Sequence, residues 1–265
     1  MPFDLKNIKN KIEDTLLPRS KSKPIFTYTL MALMVAVFAY EFYLTVSAGE
    51  EALNTLVQNY GFSFQNLAEG KWWTPITAIF LHGDAEHLLF NLIALYFFGK
   101  AVEDLGRLKF MIVFFASMFA ADAAQAMFGL LGFAPLGVPA IGMSGVIFGF
   151  MGAAVMVKPL EFVLYPFIIP IPLIMLATLY TLYNVAALII LALAGVQTST
   201  AYAAHVGGLL AGAYLGIRFE GVKRGFEVVL LAILIALSVP IILEYLKILD
   251  LFNYITASAS IFKKV

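Results

Sequence analysis

Cysteine is absent from the 265-residue sequence, and charged residues make up only 13% of it. Without cysteine the chain can form no disulfide, no thiolate metal site and no thiol nucleophile. The 17 basic and 17 acidic residues leave a formal net charge of +0, which gives no electrostatic footprint for nucleic acid. We therefore expect no nucleic-acid partner, and any chemistry must come from side chains other than cysteine.

Hydrophobic residues are abundant, at 62% of the chain against about 45–50% in a typical soluble domain. They are grouped in long runs, and a membrane-spanning helix needs about 20 apolar residues. The runs predict an all-α polytopic membrane protein with seven spans, at about 25–48, 85–99, 108–128, 142–157, 173–190, 201–218 and 226–246. Pro240 falls inside the last run, where we expect a kink. The lipid bilayer is thus the expected surrounding of much of the surface.

The basic residues predict how these spans are oriented. With the N-terminus in the cytoplasm, 13 lysines and arginines lie on the inner side and 4 on the outer side, as the positive-inside rule requires. An even number of spans would also move the three C-terminal lysines inward, so the seventh span is the least supported by charge. We predict a multi-pass cell-membrane protein with a cytosolic segment 1–23, a six-helix domain 24–220, and an extra C-terminal helix with its tail, 221–265.

The first apolar run predicts a retained helix, and the segment that follows it predicts a position at the membrane surface. The run is longer than a signal-peptide core and has no evident cleavage site, so we expect it to be retained as a helix. The segment 49–84 mixes aromatic and polar residues, which favours a position in the membrane interface. An ordinary surface loop is the alternative. The aromatic residues concerned are Phe62, Phe64, Trp72 and Trp73.

Four polar side chains lie in apolar spans, where they are energetically expensive and often functional. His87 and Asn91 are in the second span, Ser144 is in the fourth and His205 is in the sixth. In the predicted orientation all four lie within about 10 Å of the outer ends of their helices. Three separate spans therefore place polar groups at a common depth.

Glycines predict that the fourth and sixth spans pack closely. Gly142 and Gly145 flank the serine, and glycines recur at four-residue steps after the histidine, at Gly208, Gly212 and Gly216. Small residues at this spacing let two membrane helices approach each other. Ser144 and His205 could then come within hydrogen-bonding distance, and Phe148, one turn further along, could stack on the imidazole.

A serine beside a histidine is the minimum arrangement for an activated hydroxyl nucleophile. The histidine would accept the hydroxyl proton and return it to the leaving amine. His87, Asn91 and the backbone N–H of Ser144 are candidate donors to the resulting oxyanion. Taken singly, a membrane serine usually bonds to its own helix and a membrane histidine often only packs. The shared depth of four complementary groups favours the catalytic interpretation.

Other polar residues permit only weaker hypotheses. His82 could cap or pack the outer segment or take a catalytic role, and Glu41 could join two helices or lie near a cavity. Asp122 and Gln125 could face a cavity, tie helices together or, for Asp122, orient His205.

Other membrane protease chemistries are not supported by the motifs. The string from Ala85 to Leu89 lacks the leading histidine of the zinc motif His-Glu-x-x-His. An aspartyl mechanism needs two membrane aspartates that share a proton, and Asp122 is the only aspartate in a predicted span. Val146 replaces the second glycine of the Gly-x-Ser-x-Gly nucleophile elbow.

Three stretches together resemble a known family. The residues from His82 to Asn91 read HGDAEHLLFN, those from Gly142 to Gly145 read GMSG, and those from Ala204 to Gly208 read AHVGG. In order and spacing they are similar to the motifs of the rhomboid family of intramembrane serine proteases, over about Trp72 to Gly216. The resemblance implies a bundle of six transmembrane helices, here with one extra helix at the C-terminus.

The resemblance also implies a role for each matched residue. Ser144 would be the nucleophile, His205 the general base, and His87 and Asn91 would help to bind the oxyanion. The structural neighbours of the site would be Gly142, Gly145, Phe148 and Gly208. Many members have Trp-Arg in the first external loop, and here Thr74 follows Trp73, which affects the anchoring of that loop and not the chemistry.

We therefore predict a serine endopeptidase that hydrolyses transmembrane protein substrates near the outer face, through an acyl-enzyme on Ser144 and without metal or cofactor. By resemblance, the fifth span would be the gate through which a substrate enters sideways. Two alternatives stay open, a rhomboid-like protein that binds membrane clients without cutting them and a small solute transporter.

Overall fold

A computed structural model describes residues 23–164, 170–196 and 200–245 of the chain. The predicted cytosolic segment lies outside the described residues except for Lys23. The tail after the seventh span, which contains Lys247, Lys263 and Lys264, also lies outside them.

The described residues form a helical bundle with one pair of short β-strands. The helices are α1 (Ile25–Ala48), α2 (Glu50–Tyr60), α3 (Phe64–Ala68), α4 (Thr74–Thr77), α5 (Ala85–Glu103), α6 (Arg107–Leu130), α7 (Ser144–Val157), α8 (Leu173–Ala194), α9 (Tyr202–Glu220) and α10 (Val222–Tyr245). A 3₁₀ turn (Ala78–Phe80) follows α4. Strands β1 (Phe162–Leu164) and β2 (Pro170–Pro172) pair antiparallel between α7 and α8.

The predicted all-α polytopic bundle is confirmed, and each predicted span corresponds to one helix. Helices α1, α5, α6, α8 and α10 are long and apolar enough to cross a bilayer. Helix α7 has only 14 residues, and α9 ends with charged residues in its last turn. The boundaries differ from prediction by a few residues because the last turns of several helices continue into polar sequence, as at Glu103 of α5.

Helix α7 is the centre of the bundle. All its residues from Gly145 to Met156 are buried, and it contacts α5, α6, α8, α9 and α10. At about 1.5 Å per residue its 14 residues extend about 21 Å, which is less than the hydrocarbon thickness of about 30 Å. A helix this short is accommodated because protein surrounds it, and one of its ends must lie below the membrane surface.

The contact between α7 and α9 is made by backbone rather than by side chains. A Cβ atom added at Gly208 would overlap the carbonyl oxygen of Gly145, and one added at Gly212 would overlap that of Gly149. Across α7, a Cβ at Gly149 would also overlap the Ser117 hydroxyl of α6. The four-residue glycine spacing therefore brings the two helices together as predicted.

A buried carboxylate fastens α1 to α5. The Glu103 carboxylate accepts the backbone N–H groups of Phe26 and Thr27 at 2.9 Å, and the Thr27 hydroxyl at 2.8 Å. These N–H groups belong to the first turn of α1, where no intrahelical acceptor exists and negative charge is favourable.

The segment between α1 and α5 forms short helices and not an irregular loop, and it pairs with the residues before α7. It contains α2, α3, α4 and the 3₁₀ turn, with Trp72 and Trp73 exposed. Phe62 is buried, and its backbone pairs with Ala140 just before α7, with N···O distances of 2.9 and 2.7 Å. This bridge ties the outer segment to the residues that lead into Ser144.

Candidate active site

Ser144 and His205 meet at the ends of the two glycine-packed helices. Ser144 is the first residue of α7, and His205 lies in the first turn of α9. The Ser144 Oγ atom is 2.7 Å from His205 Nε2, within the range of a strong hydrogen bond. The close approach of the α7 and α9 backbones at Gly145 and Gly208 brings these two side chains within this distance.

Aromatic rings hold the imidazole of His205. The Phe148 ring stacks on it with centroids 4.4 Å apart and planes inclined by 8°. The Tyr202 ring approaches edge-on at 6.2 Å. The predicted contact of Phe148 with the imidazole is therefore present, and it fixes the plane in which the ring lies.

Gly142 has two independent reasons to be glycine. Its φ angle is +103°, which side-chain-bearing residues rarely adopt. A Cβ atom there would also lie 2.7 Å from Cε1 of His87 and 3.4 Å from Nδ2 of Asn91. The backbone leading into Ser144 therefore packs directly against these two side chains of α5.

The neighbouring Gly145 and Gly208 are also closely packed. A Cβ at Gly145 would lie 2.7 Å from the Ala121 Cβ of α6. The structure thus brings all the structural neighbours predicted from the sequence to the Ser144–His205 pair.

Asn91 and His87 present donors toward the same space as Ser144. Asn91 is buried, and its Nδ2 has no hydrogen-bond partner among the described residues. Asp84 caps α5 by accepting the His87 backbone N–H at 2.7 Å, which fixes the start of that helix. An unpaired buried N–H is costly, so an acceptor placed in this space could bind the Asn91 amide.

These side chains open into a cavity of about 490 Å³. Helix α5 contributes Phe90, Ala94 and Phe98 to its lining, and α8 contributes Leu176 and Tyr180. The polar end holds His87, Asn91, Ser144 and His205, whereas the deeper part is apolar. This arrangement suits an apolar chain whose backbone reaches the polar end.

One residue of the candidate site, Asn184 of α8, was not predicted from the sequence. Its Oδ1 atom is 2.7 Å from His205 Nδ1, on the opposite side of the ring from Ser144. The available signal was a lone amide in an otherwise apolar span, since polar groups in spans are often functional.

The weaker candidates lie elsewhere. The ring of His82 is buried, which together with the nearby His87 lowers its pKa to about 4, and its Nδ1 donates to the Phe80 carbonyl at 3.0 Å. Glu41 accepts the backbone N–H of His82 at 3.2 Å and so joins α1 to the start of α5. Asp122 is not seen at the Nδ1 of His205, a position that Asn184 occupies.

The sequence matches the profile of one protein family and is similar to several named proteins. The profile of the Rhomboid domain matches residues 69–220. The chain is 35% identical to "Rhomboid protease GluP" of Bacillus subtilis over 132 residues, which are 49% of this chain and 24% of that protein. It is 29% identical to "Rhomboid protease AarA" of Providencia stuartii over 236 residues, 83% of this chain and 82% of that protein.

The alignment with a third relative covers a shorter stretch of the chain. The chain is 37% identical to "Putative rhomboid protease YdcA" of Bacillus subtilis over 90 residues, 32% of this chain and 41% of that protein. The alignments with GluP and YdcA therefore span less than half of those proteins. The profile match covers more than half of the present chain and includes all three motifs noted in the sequence.

Proposed function

Because the chain belongs to the rhomboid family, we propose that it is an intramembrane serine endopeptidase in which Ser144 and His205 form the catalytic dyad. The observation that carries the proposal is the 2.7 Å distance between Ser144 Oγ and His205 Nε2 at the polar end of the cavity. Relatives named rhomboid proteases support the same reaction class.

In the proposed reaction, His205 accepts the proton of the Ser144 hydroxyl as the oxygen attacks a peptide carbonyl. The protonated imidazole then donates to the leaving amine, which leaves an acyl-enzyme on Ser144. Water, activated by the same imidazole, hydrolyses this ester and restores the serine. Each step uses only groups of the chain, the substrate and one water molecule, so the proposed mechanism calls for no metal or cofactor.

The oxyanion would be bound at the start of α7. The first N–H groups of a helix have no intrahelical acceptor, and the helix dipole favours negative charge there. The Ser144 backbone N–H, the unpaired Asn91 Nδ2 and the His87 ring would act together as donors.

The substrates would be transmembrane proteins cut near the outer face of a cell membrane. By the positive-inside rule, the N-terminus would lie in the cytoplasm and the Ser144 end of α7 would face the outer side. The short α7 supports a site below the surface, and a substrate helix would have to unwind locally to reach it. The six-helix domain 24–220 would carry this activity, with α10 and the tail added at 221–265.

The decisive test incubates the purified chain with a tagged single-span substrate and with a fluorophosphonate probe. Ser144→Ala and His205→Ala should each abolish cleavage while the protein remains folded. Ser238→Ala is the matched control, because among the described residues the Ser238 hydroxyl in α10 bonds back to Ile235 of its own helix at 2.7 Å; this variant should cleave normally. Full activity in Ser144→Ala would refute the dyad.

The same experiment separates the two alternatives. A client-binding protein or a transporter would show no labelling that depends on Ser144. Retention of the substrate without cleavage would favour the first, and solute-dependent thermal stabilisation would favour the second.

A further inference from the structure

The contact between Asn184 and His205 has a defined direction. Asn184 is 4% exposed, and its Nδ2 donates to the Tyr180 backbone carbonyl at 2.8 Å. A carbonyl oxygen can only accept, so the amide nitrogen must face Tyr180. The Oδ1 atom, 2.7 Å from His205 Nδ1, is therefore the acceptor.

This direction determines which imidazole nitrogen carries the proton. Since Asn184 Oδ1 can only accept, His205 Nδ1 must be the donor. In a neutral imidazole the other nitrogen then has a free lone pair, so Nε2 accepts from the Ser144 hydroxyl at 2.7 Å. A continuous chain of hydrogen bonds thus runs from Ser144 through His205 and Asn184 to Tyr180.

We propose that Asn184 is a positioning residue that holds His205 as the Nδ1–H tautomer, and that the base is competent only while α8 keeps Asn184 in place. The inference rests on the proposed function, because it assigns the bond a purpose in the same reaction. It adds a residue of α8 to a site otherwise built from α5, α7 and α9.

Without the acceptor, the opposite tautomer would be favoured. The Nδ1–H group would be buried and unpaired, which is unfavourable. With its proton on Nε2 instead, the ring could donate to Ser144 but could not accept the hydroxyl proton. The Phe148 ring stacks on the imidazole but offers no hydrogen-bond acceptor in the ring plane, so it cannot replace Asn184.

The bond also ties the base to one wall of the cavity. Helix α8 contributes Leu176 and Tyr180 to that wall, and Asn184 lies one turn beyond Tyr180. A displacement of α8 large enough to separate Asn184 from His205 would release the tautomer constraint.

The adjacent residue provides a matched control. Tyr183 of α8 forms a hydroxyl–hydroxyl contact of 3.2 Å with Tyr202, three residues before His205. Tyr183→Phe removes a hydrogen bond between the same two helices but leaves the Asn184–His205 bond intact. If the hydrogen bonds between α8 and α9 only held the two helices together, Tyr183→Phe and a substitution that removes the Asn184 bond would have the same effect on cleavage.

The first measurement records ¹⁵N spectra of the full chain labelled on histidine, which has only three such residues. The His205 signals are identified by their loss in His205→Gln. We expect protonated Nδ1 and unprotonated Nε2 in the wild type and in Tyr183→Phe, and transfer of the proton to Nε2 in Asn184→Leu. Asn184→Asp retains an acceptor and should keep the proton on Nδ1, so it tests the inference even if Asn184→Leu does not fold.

The second measurement is cleavage of the tagged substrate by the same variants. In Asn184→Leu kcat should fall by about 10- to 100-fold, because general-base catalysis contributes about 10²–10⁴-fold and the imidazole remains. KM should stay unchanged, Asn184→Asp should recover most of the rate, and Tyr183→Phe should match the wild type. An unchanged tautomer in Asn184→Leu, or a proton on Nε2 in Asn184→Asp, would overturn the inference.

The two measurements also separate this inference from the proposed function. Cleavage that survives Ser144→Ala would defeat the proposed dyad, whereas the spectra would still report whether Asn184 sets the tautomer. Cleavage that requires Ser144 but is insensitive to Asn184→Leu would defeat the inference alone.

Discussion

Helix α9 is held on two sides by contacts of different kinds. Toward α7 it contributes Gly208 and Gly212, whose backbone meets the carbonyl oxygens of Gly145 and Gly149 with no space for a side chain. Toward α8 it is held by polar contacts between single side chains, Asn184 with His205 and Tyr183 with Tyr202. One interface is defined by missing side chains and the other by individual hydrogen bonds.

The difference separates two requirements of the proposed chemistry. The α7–α9 interface sets the distance between nucleophile and base, and it can change only if two backbones move. The α8–α9 interface sets the state of the base, and it can change when one hydrogen bond breaks. The rigid α7–α9 pair and the replaceable contact, which is the Asn184–His205 hydrogen bond, thus act on the same imidazole.

Breaking the rigid interface should have the largest effect. In Gly212→Val the new side chain would collide with the Gly149 backbone of α7, and we expect a loss of about 3 kcal/mol or more in the free energy of unfolding. Cleavage should disappear because Ser144 Oγ and His205 Nε2 are pushed apart. Unfolding in detergent and substrate cleavage are the measurements.

The control introduces the same side chain on the exposed side of α9. Leu210 is 65% exposed, so Leu210→Val should change stability by less than about 0.5 kcal/mol and leave cleavage intact. If Gly212→Val were as stable and active as Leu210→Val, the close backbone contact would not determine the site.

The second expected effect concerns the oxyanion and leaves both α9 interfaces intact. Asn91→Ala should lower kcat by about 10- to 1000-fold, because it removes one proposed donor to the transition state. Stability should hardly fall, since Nδ2 of Asn91 has no partner among the described residues. Initial rates at saturating substrate, together with thermal unfolding, measure the two quantities.

An exposed asparagine serves as the comparison for this variant. Within the described part of the chain, the side chain of Asn59 in α2 bonds to the Thr55 carbonyl of its own helix, at 2.9 Å. Asn59→Ala should cleave at the wild-type rate. An unchanged rate in Asn91→Ala would remove Asn91 from the proposed oxyanion site.

The rigid interface was predictable from the sequence. Glycine spacing is a local pattern, so Gly208, Gly212 and Gly216 predicted a close helix contact without knowledge of the fold. The depth of Ser144 and His205 followed from helix geometry and the span boundaries. These two observations were sufficient to predict that the two side chains lie close together, although their catalytic roles stay a prediction.

The replaceable contact was not predictable in the same way. Asn184 belongs to no repeat, and its partner is 21 residues away on a helix whose rotation cannot be read from composition. The bridge between Phe62 and Ala140 was missed for a similar reason, since backbone pairing between distant segments depends on the tertiary fold. Local spacing thus predicted helices and the α7–α9 contact, whereas contacts between single distant residues required coordinates.

The smallest expected effect distinguishes the imidazole's stacking partner from ordinary core packing in α7. Phe148 stacks on His205, whereas Phe150, two residues further along, packs against Phe110 with centroids 4.7 Å apart. An aromatic pair contributes about 0.5–1.5 kcal/mol beyond its buried area, which corresponds to a change of about 2- to 13-fold in a rate or equilibrium constant. Phe148→Leu should therefore lower kcat by a factor in this range, because the ring plane is held less firmly while the Asn184 and Ser144 bonds remain.

Phe150→Leu should lower the unfolding free energy by a similar amount but leave kcat unchanged. If both variants affected kcat equally, Phe148 would be acting only as part of the core, and the base would be oriented by its two hydrogen bonds alone.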